Sequence, residues 1–165
     1  MKNKKKKRKK IVVAVSGGMD PLHIGHMRLF KEAKSLGDEL IVILNNDNWL
    51  TKKKGFVFIP QDERKEIIES LKWVDRVILT KHGCNPKDMS VCQELKILKP
   101  DIFANGGDRN KKDASKISSS LNPEQALCQK LGIKMAFNVG KGGKIQSSSW
   151  LLEKFLKSRV NHQKS

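Results

Sequence analysis

The chain has 165 residues, enough for one well-packed domain and too few for two ordinary ones. Lysine and arginine number 34 against 17 aspartate and glutamate, a formal charge of +17 that favours a polyanionic partner or substrate. No run of 18 apolar residues occurs, which excludes a membrane-spanning helix. The three cysteines form no CxxC pair, which argues against zinc and indicates reduced thiols in the cytoplasm.

The first ten residues carry eight of the positive charges and lack the apolar stretch of a secretory signal peptide. We expect residues 1–10 to form a disordered basic tail, because like charges repel and none of these side chains can enter a core. A solvated tail is one interpretation, and association with nucleic acid or an anionic surface is the other. The folded domain is expected over residues 11–157, followed by a polar tail at 158–165.

The first predicted element is a strand at Ile11–Val15, a β-branched run without polar alternation that is typical of a parallel sheet. Residues Ser16–His26 then lead into an amphipathic helix that ends near Gly37. Two glycines let the backbone approach a ligand, and a helix start directs free N–H groups at the same point, so this turn predicts a phosphate site. His23 and His26 could donate hydrogen bonds to phosphate or transfer a proton.

A second strand at Asp38–Leu44 completes a βαβ unit, which predicts an α/β fold with a parallel sheet. The ligand crevice is then expected at the carboxyl ends of the strands, beside the histidine-bearing turn. The following polar stretch, Asn45–Ile59, is expected to be a long connection that contains Lys52–Lys54. It could act as a lid, or it could be a solvated lysine cluster.

A helix is predicted over Pro60–Lys72, with acids in its first turn and one apolar stripe. Arg64 shares that stripe with Ile67 and Ile68, so we expect it to point along the sheet edge toward the crevice. A surface ion pair is the alternative for Arg64.

Three further strands are predicted at Val74–Leu79, Asp101–Ala104 and Ile133–Val139. Helices are expected before Pro100, from Asn122 and after Ser147. The carboxyl ends of the last two strands carry glycine-rich loops, where open α/β sheets keep functional residues. None of the cysteines or serines has a base held beside it by local spacing, so chemistry that depends on positioning and charge stabilisation, such as phosphoryl or nucleotidyl transfer, fits best.

The string Gly17-Gly18-Met19-Asp20-Pro21-Leu22-His23-Ile24-Gly25-His26 resembles the GxFDxxHxGH signature of the cytidylyltransferase-like nucleotidyltransferase superfamily, with methionine in place of phenylalanine. Three later segments also match the superfamily. Gln61–Lys65 resembles its E-x-R segment, Gly106–Asp108 its Gly-Gly-Asp loop and Gln146–Ser149 its I-S-T-T motif. The likeness spans about Ile11 to Phe155. Within the superfamily, the Gly-Gly-Asp form resembles that of heptose-phosphate adenylyltransferases, and the compact size resembles that of these enzymes and of glycerol-phosphate cytidylyltransferases.

The resemblance implies a Rossmann-like open parallel sheet of about five strands with helices on both faces, and a homodimer. It implies transfer of AMP or CMP from ATP or CTP to the phosphate of a small sugar or alditol phosphate, with release of pyrophosphate and with Mg²⁺ held mainly by the NTP phosphates. His23, His26, Lys53 and Arg64 would be the catalytic group, although any one of Lys52–Lys54 could be the lysine that contacts phosphate. No side chain is expected to be a metal ligand. The expected nucleotide-binding residues are Ser16, Gly17, Gly18, Met19, Asp20, Gly25, Gly107, Asp108, Ser147, Ser148 and Ser149.

Two alternatives compete with this interpretation. Residues Ser16–Asp20 also resemble the S-G-G-x-D-S phosphate loop of ATP pyrophosphatases, but Pro21 removes both the hydroxyl and the N–H that the following serine supplies. A catalytically silent, basic nucleic-acid-binding protein on the same fold is the second alternative. The chain has no tyrosine and few aromatic residues, which argues against a base-stacking surface.

Overall fold

The structure, a computed structural model, describes residues 8–106, 122–140 and 146–162. Strands and helices alternate along the chain, except that two helices follow one another between the second and third strands. The strands are β1 (Val12–Gly17), β2 (Glu39–Leu44), β3 (Arg76–Leu79), β4 (Ile102–Gly106) and β5 (Lys134–Val139). The helices are α1 (Ile24–Ser35), α2 (Asp47–Lys54), α3 (Gln61–Glu69), α4 (Cys92–Leu98), α5 (Asn122–Leu131) and α6 (Ser148–His162).

The five strands form one parallel sheet in the order β3-β2-β1-β4-β5. β1 and β2 run in register from Val12 opposite Glu39 to Gly17 opposite Leu44, so both strands end at the same level. The Asn45 N–H donates to the Gly17 carbonyl at 2.9 Å and extends this pairing by one residue. The turn after β1 and the turn after β2 therefore begin side by side.

The core has two layers because alternate residues of each strand face opposite sides of the sheet. Val13 and Val15 pack with Phe30 of α1 and Ile68 of α3, whereas Ala14 packs on the other side with residues of α4 and α5. The prediction of a Rossmann-like parallel sheet with helices on both faces is thereby confirmed. No helix among the described residues combines the length and the apolar composition needed to cross a bilayer.

The basic amino-terminal segment contacts the sheet at the amino ends of its strands, opposite the end that carries the Gly17–Gly18 turn. Arg8 and Lys9 form ion pairs with Asp38 and Asp101, which stand just before β2 and β4. Residues 1–7 lie outside the described residues. The boundaries expected for the basic tail, the domain and the polar tail stay predictions.

The stretch 45–59 corrects one expectation, since part of it is helical. Asn46 caps α2 by accepting a hydrogen bond from the Trp49 N–H at 3.0 Å, and Gly55 ends the helix with φ of 85°. Leu50 is wholly buried and is the one core residue that α2 supplies. The prediction of a connecting loop was wrong here, because a helix with a single buried leucine and three lysines has almost no apolar periodicity.

Candidate active site

The two histidines build the start of α1 together. His23 is the N-cap residue, and its Nδ1 accepts a hydrogen bond from the Gly25 N–H at 3.1 Å. The His26 Nδ1 accepts from the His23 N–H at 3.2 Å, which completes a reciprocal capping box. Both Nδ1 atoms carry a lone pair turned to the backbone, so the proton of each neutral ring resides on Nε2. The motif thus presents two Nε2–H donors at the mouth of the helix.

The glycine between the histidines is required by the position of the His23 ring. A Cβ atom on Gly25 would lie 2.9 Å from His23 Cε1 and 3.0 Å from His23 Nδ1, closer than non-bonded carbon and nitrogen atoms approach. The two imidazoles stack with their centroids 3.8 Å apart. Gly25 therefore serves the geometry of the histidine pair.

Burial and positive charge keep both imidazoles neutral. Burial, followed by the neighbouring charges of His23 and Lys54, lowers the pKa of His26 from 6.5 to about 3. The pKa of His23 is also lowered, by burial and then by Lys54. A lowered pKa means that each ring is neutral at pH 7, so its Nδ1 can accept a capping hydrogen bond while its Nε2 carries the proton.

Histidine NMR can test this assignment. In long-range ¹H–¹⁵N spectra of the ¹⁵N-labelled protein, we expect His23 and His26 to show a bare Nδ1 and a protonated Nε2 at pH 7. Because the folded pKa of His26 lies near 3, below the ordinary 6.5, lowering the pH from 8 to 5 should leave its signals unmoved. A His26 titration centred near 6.5, with signals assigned by comparison with His26→Asn, would refute the buried neutral ring.

The turn between β1 and α1 can contact a ligand at Met19 and Asp20 only through its main chain, because these two side chains face inward. Met19 has φ of 51° and is 3% exposed, in the core layer below the turn. Asp20 is wholly buried, and its two carboxylate oxygens accept hydrogen bonds from the Phe58 and Ile59 N–H groups at 2.8 Å. Asp20 thereby fixes the loop after α2, and contact of Met19 or Asp20 with a nucleotide would have to come through the main chain.

Gly18 allows α2 to pack closely against this turn. A Cβ atom on Gly18 would lie 2.7 Å from Leu50 Cδ2, which is a collision. The absence of that atom brings the helix that carries the three lysines over the turn. Ser16, Gly17 and Gly18 remain partly exposed beside it.

The three lysines of α2 have different partners. The Lys54 Nζ donates to the Asp20 carbonyl at 2.6 Å, and its positive charge contributes to the lowered pKa of both histidines. Its own pKa is lowered, chiefly by burial. The Lys52 Nζ donates to Asn85 Oδ1 at 2.6 Å, and Lys53 is exposed along a neighbouring cavity. The structure brings Lys54 to the histidines, whereas the sequence prediction chose Lys53.

Lys54 was one of three candidate lysines and was not singled out, although the sequence contains a signal for it. It follows Leu50 by four residues, so on a helix the two side chains share a face. That inference needs α2 to be recognised as a helix first. With Leu50 buried against Gly18, Lys54 is carried to Asp20.

Arg64 lies beneath the turns instead of in the crevice. Its side chain is wholly buried, and Nε donates to the Ile59 carbonyl at 2.8 Å. Nη1 donates to the carbonyls of Gly18 and Asn45, and Nη2 donates to Asp47. The expectation that Arg64 points toward the crevice is corrected: its buried guanidinium joins the ends of β1 and β2.

The start of α6 lies against the histidine-bearing turn. The Ser148 hydroxyl donates to the Pro21 carbonyl at 2.9 Å, and Ser147 Oγ accepts from the Trp150 N–H at 3.2 Å, while Ser149 is exposed. A helix start therefore faces the turn from a second direction. Gly107 and Asp108 lie outside the described residues, so their expected contacts with the nucleotide stay predictions.

A cavity of about 460 Å³ opens beside the Gly17–Gly18 turn. Its walls come from the ends of β1 and β2, from α2, from the loop before α4 and from the start of α5. The lining residues are Ser16, Gly17, Gly18, Asn45, Trp49, Lys53, Lys87, Asp88, Met89, Ser90, Val91, Pro123 and Glu124. This volume is within the range of about 300–1,000 Å³ that small-molecule sites occupy.

Comparison with known families and proteins agrees with this geometry. Residues 14–137 match the cytidylyltransferase-like family model. The FAD synthase of Thermococcus sibiricus is 37% identical over 142 residues, 84% of this chain and 92% of that protein. The bifunctional protein HldE of Nitratiruptor sp. is 38% identical over 123 residues, which are 73% of this chain and 25% of that protein.

Solved structures with a similar fold include two proteins from other organisms. The lipopolysaccharide core biosynthesis protein of Thermoplasma volcanium has a TM-score of 0.62 and 31% identity, over 81% of this chain and the whole of that one. TmcAL of Thermotoga maritima, bound with alpha-thio ATP, has a TM-score of 0.61 at 14% identity, over 92% of this chain and 52% of its own, and so is alike in fold alone.

Proposed function

This chain belongs to the cytidylyltransferase-like family and is a nucleotidyltransferase, and on that premise we propose that it transfers AMP from ATP to the phosphate of FMN. A phosphate oxygen of FMN would form a bond to the α-phosphorus of ATP, the bond from that phosphorus to the oxygen of the β-phosphate would break, and pyrophosphate would leave. The product would be FAD. The observation that carries the choice of acceptor is the 37% identity to an FAD synthase across 92% of that protein.

The site supports a reaction driven by positioning and charge stabilisation. An FMN phosphate is already ionised at pH 7, so the attacking oxygen needs no general base. The Nε2–H groups of His23 and His26 would donate to oxygens of the α-phosphoryl group, whose charge is redistributed in the transition state. Lys54 would add a positive charge at the same place, and the Gly17–Gly18 backbone would lie along the phosphates.

We propose that magnesium is held mainly by the phosphates of the NTP. Within residues 8–106, 122–140 and 146–162, no group of three or more His, Cys, Asp or Glu side chains could hold a metal ion. Mg²⁺ typically keeps waters and binds substrate phosphates, so NTP oxygens would be its main ligands, and it would neutralise charge on pyrophosphate as that group leaves. The homodimer, the cytoplasmic location and an association of the basic tail with polyanions stay predictions.

A sugar or alditol phosphate is the second candidate acceptor. The likeness to a lipopolysaccharide core biosynthesis protein over the whole length of that chain favours it. Both acceptors present a phosphomonoester on a polyol, since FMN carries its phosphate on a ribityl chain. The two proposals therefore share the histidine chemistry and differ in what lies beyond the phosphate.

Pyrophosphate release decides between them. The full chain with Mg²⁺ is incubated with ATP or CTP and with FMN, heptose 1-phosphate or glycerol 3-phosphate, and each pair is assayed for pyrophosphate and for the coupled product. We expect ATP with FMN to give the highest kcat/KM. Pyrophosphate with a sugar phosphate but not with FMN would support the second candidate, and none with any pair would contradict nucleotidyl transfer to these acceptors.

The three lysines of α2 allow a matched comparison. Lys54→Met is expected to lower kcat/KM by about 10- to 150-fold, because a charge-assisted hydrogen bond typically contributes about 1.5–3 kcal/mol. Lys52→Met, which loses the bond to Asn85, should stay within about threefold. A larger loss in Lys53→Met than in Lys54→Met would support the original choice of Lys53.

A further inference from the structure

We propose that the cavity beside the Gly17–Gly18 turn binds the ring system of the acceptor, a planar heteroaromatic group whose amide-type edge pairs with the Asn45 carboxamide and whose face packs on Trp49. This inference rests on the proposed function and goes beyond it, because it assigns the specificity for the acceptor to two residues outside the histidine motif. A flavin ring has such an edge, in which an N–H donor stands beside carbonyl acceptors.

Asn45 supplies the first observation. It is 4% exposed, and its Oδ1 is buried without a hydrogen-bond partner among the described residues. Its backbone is held on both sides, since the N–H donates to the Gly17 carbonyl and the carbonyl accepts from Arg64 Nη1, each at 2.9 Å. Buried polar atoms are nearly always paired in native proteins. An amide fixed in the cavity wall with an unused acceptor is the arrangement that a ligand donor would complete.

Trp49 supplies the second observation that supports a ring site in this cavity. The indole Nε1–H donates to the Met89 carbonyl at 2.9 Å, which fixes the orientation of the ring in the cavity wall. Asn46 and Asn48 also reach the loop before α4, and both amide groups donate to the His82 carbonyl. α2 and this loop are therefore fastened together, so the cavity is preformed. Met89, Val91 and Pro123 add apolar surface, which a planar ring covers better than a sugar does.

The charges of the lining orient the ligand. Among the described residues of the lining, Lys53 and Lys87 are the cations. Asp88 and Glu124 contribute carboxylates that already accept from the Ser90 and Val91 N–H groups. Carboxylates disfavour a phosphate beside them. The turn that lines the cavity continues through Asp20 to His23, so a ring seated at Asn45 can extend its phosphate along the turn to the histidines.

The test is equilibrium binding of FMN without nucleotide, followed by the quenching of flavin fluorescence on an indole face. Wild type should quench FMN, and Trp49→Leu should abolish most of the quenching. Asn45→Leu, which keeps the branched outline of asparagine without its polar atoms, should weaken FMN binding about tenfold while the KM for ATP stays within about threefold. Since Asn45→Leu removes a buried unpaired oxygen, its melting temperature should match or exceed that of wild type, which a purely structural asparagine would not allow.

The control is Asn48→Ala, which removes one of the two bonds to the His82 carbonyl and should leave FMN binding within about twofold. Asn45→Asp is the second variant, because it keeps the size and should reject the ring by losing the N–H donors. Unchanged FMN binding in both Asn45 variants would overturn the inference, and a raised KM for ATP alone would place the nucleotide in this cavity. Failure of the proposed function has its own signature, wild-type protein that binds FMN with quenching yet forms no FAD from ATP.

Discussion

Replacing His26 by asparagine is expected to lower kcat about 100-fold or more while the nucleotide KM and the melting temperature remain close to wild type. The two nitrogens of His26 have separate tasks, and asparagine removes only one of them. Its Oδ1 can occupy the place of Nδ1, which accepts from the His23 N–H at 3.2 Å and helps to start α1. Nothing in asparagine reaches the place of Nε2.

The size of the effect follows from where the lost donor acts. Hydrogen-bond donors aimed at charge that develops in a transition state contribute about 2.7–4 kcal/mol, or about 10²–10³ in rate. A donor that meets the α-phosphoryl group mainly in the transition state lowers kcat and leaves ground-state binding nearly intact. The neutral state of the ring, with its pKa near 3, leaves Nδ1 able to accept the capping hydrogen bond while Nε2–H donates to the phosphoryl group.

Two companion variants separate catalysis from capping. His26→Gln places an amide N–H near the position of Nε2 and should recover part of the rate. His26→Ala loses the donor and the cap together, so its free energy of unfolding should fall by about 1 kcal/mol in addition to the loss of rate. If His26→Asn weakens ATP binding as much as it lowers kcat, His26 is a binding residue. A melting temperature as low as that of the alanine variant would indicate a folding role.

The sequence predicts those parts of the fold that depend on neighbours along the chain. The run Val13–Val15 is wholly buried, as its lack of polar alternation indicates, and Phe30 and Ala33 are the buried face of α1. Alternation and helical spacing are local properties, so they survive in a single sequence. The order of the strands along the chain and their parallel direction follow from them.

The candidate site is harder to predict from the sequence than the fold, because its contacts join segments that are far apart along the chain. Arg64 lies on the core-facing stripe as predicted, but its head meets Asp47, Asn45 and Gly18, which are 17, 19 and 46 residues away. The partners of Asp20 are 38 and 39 residues away. Nothing in the spacing of a helix reveals such partners, so an arginine expected in the crevice was found below it, and an aspartate expected at the nucleotide was found inside the protein.

Arg64 gives the largest expected effect on stability. Replacing it by methionine should lower the free energy of unfolding by about 3–5 kcal/mol, the usual cost of breaking a buried charge network by removing one partner. Methionine would fill much of the volume but leave the carbonyls of Gly18, Asn45 and Ile59 without their donors. For a chain of this length the melting temperature should fall by roughly 10 °C, measured by thermal unfolding under circular dichroism.

Arg76→Met is the matched control, because Arg76 is also ion-paired, with Glu39 at 3.6 Å, but its side chain is 56% exposed. Exposed pairs contribute little, so its change should stay within about 0.5 kcal/mol. Activity of Arg64→Met is expected to follow the folded fraction and to suffer mainly in KM, since the turns after β1 and β2 lose the group that joins them. A variant with the wild-type melting temperature and a kcat lowered 100-fold would instead place Arg64 on the reacting phosphates, as the resemblance to the E-x-R segment first implied.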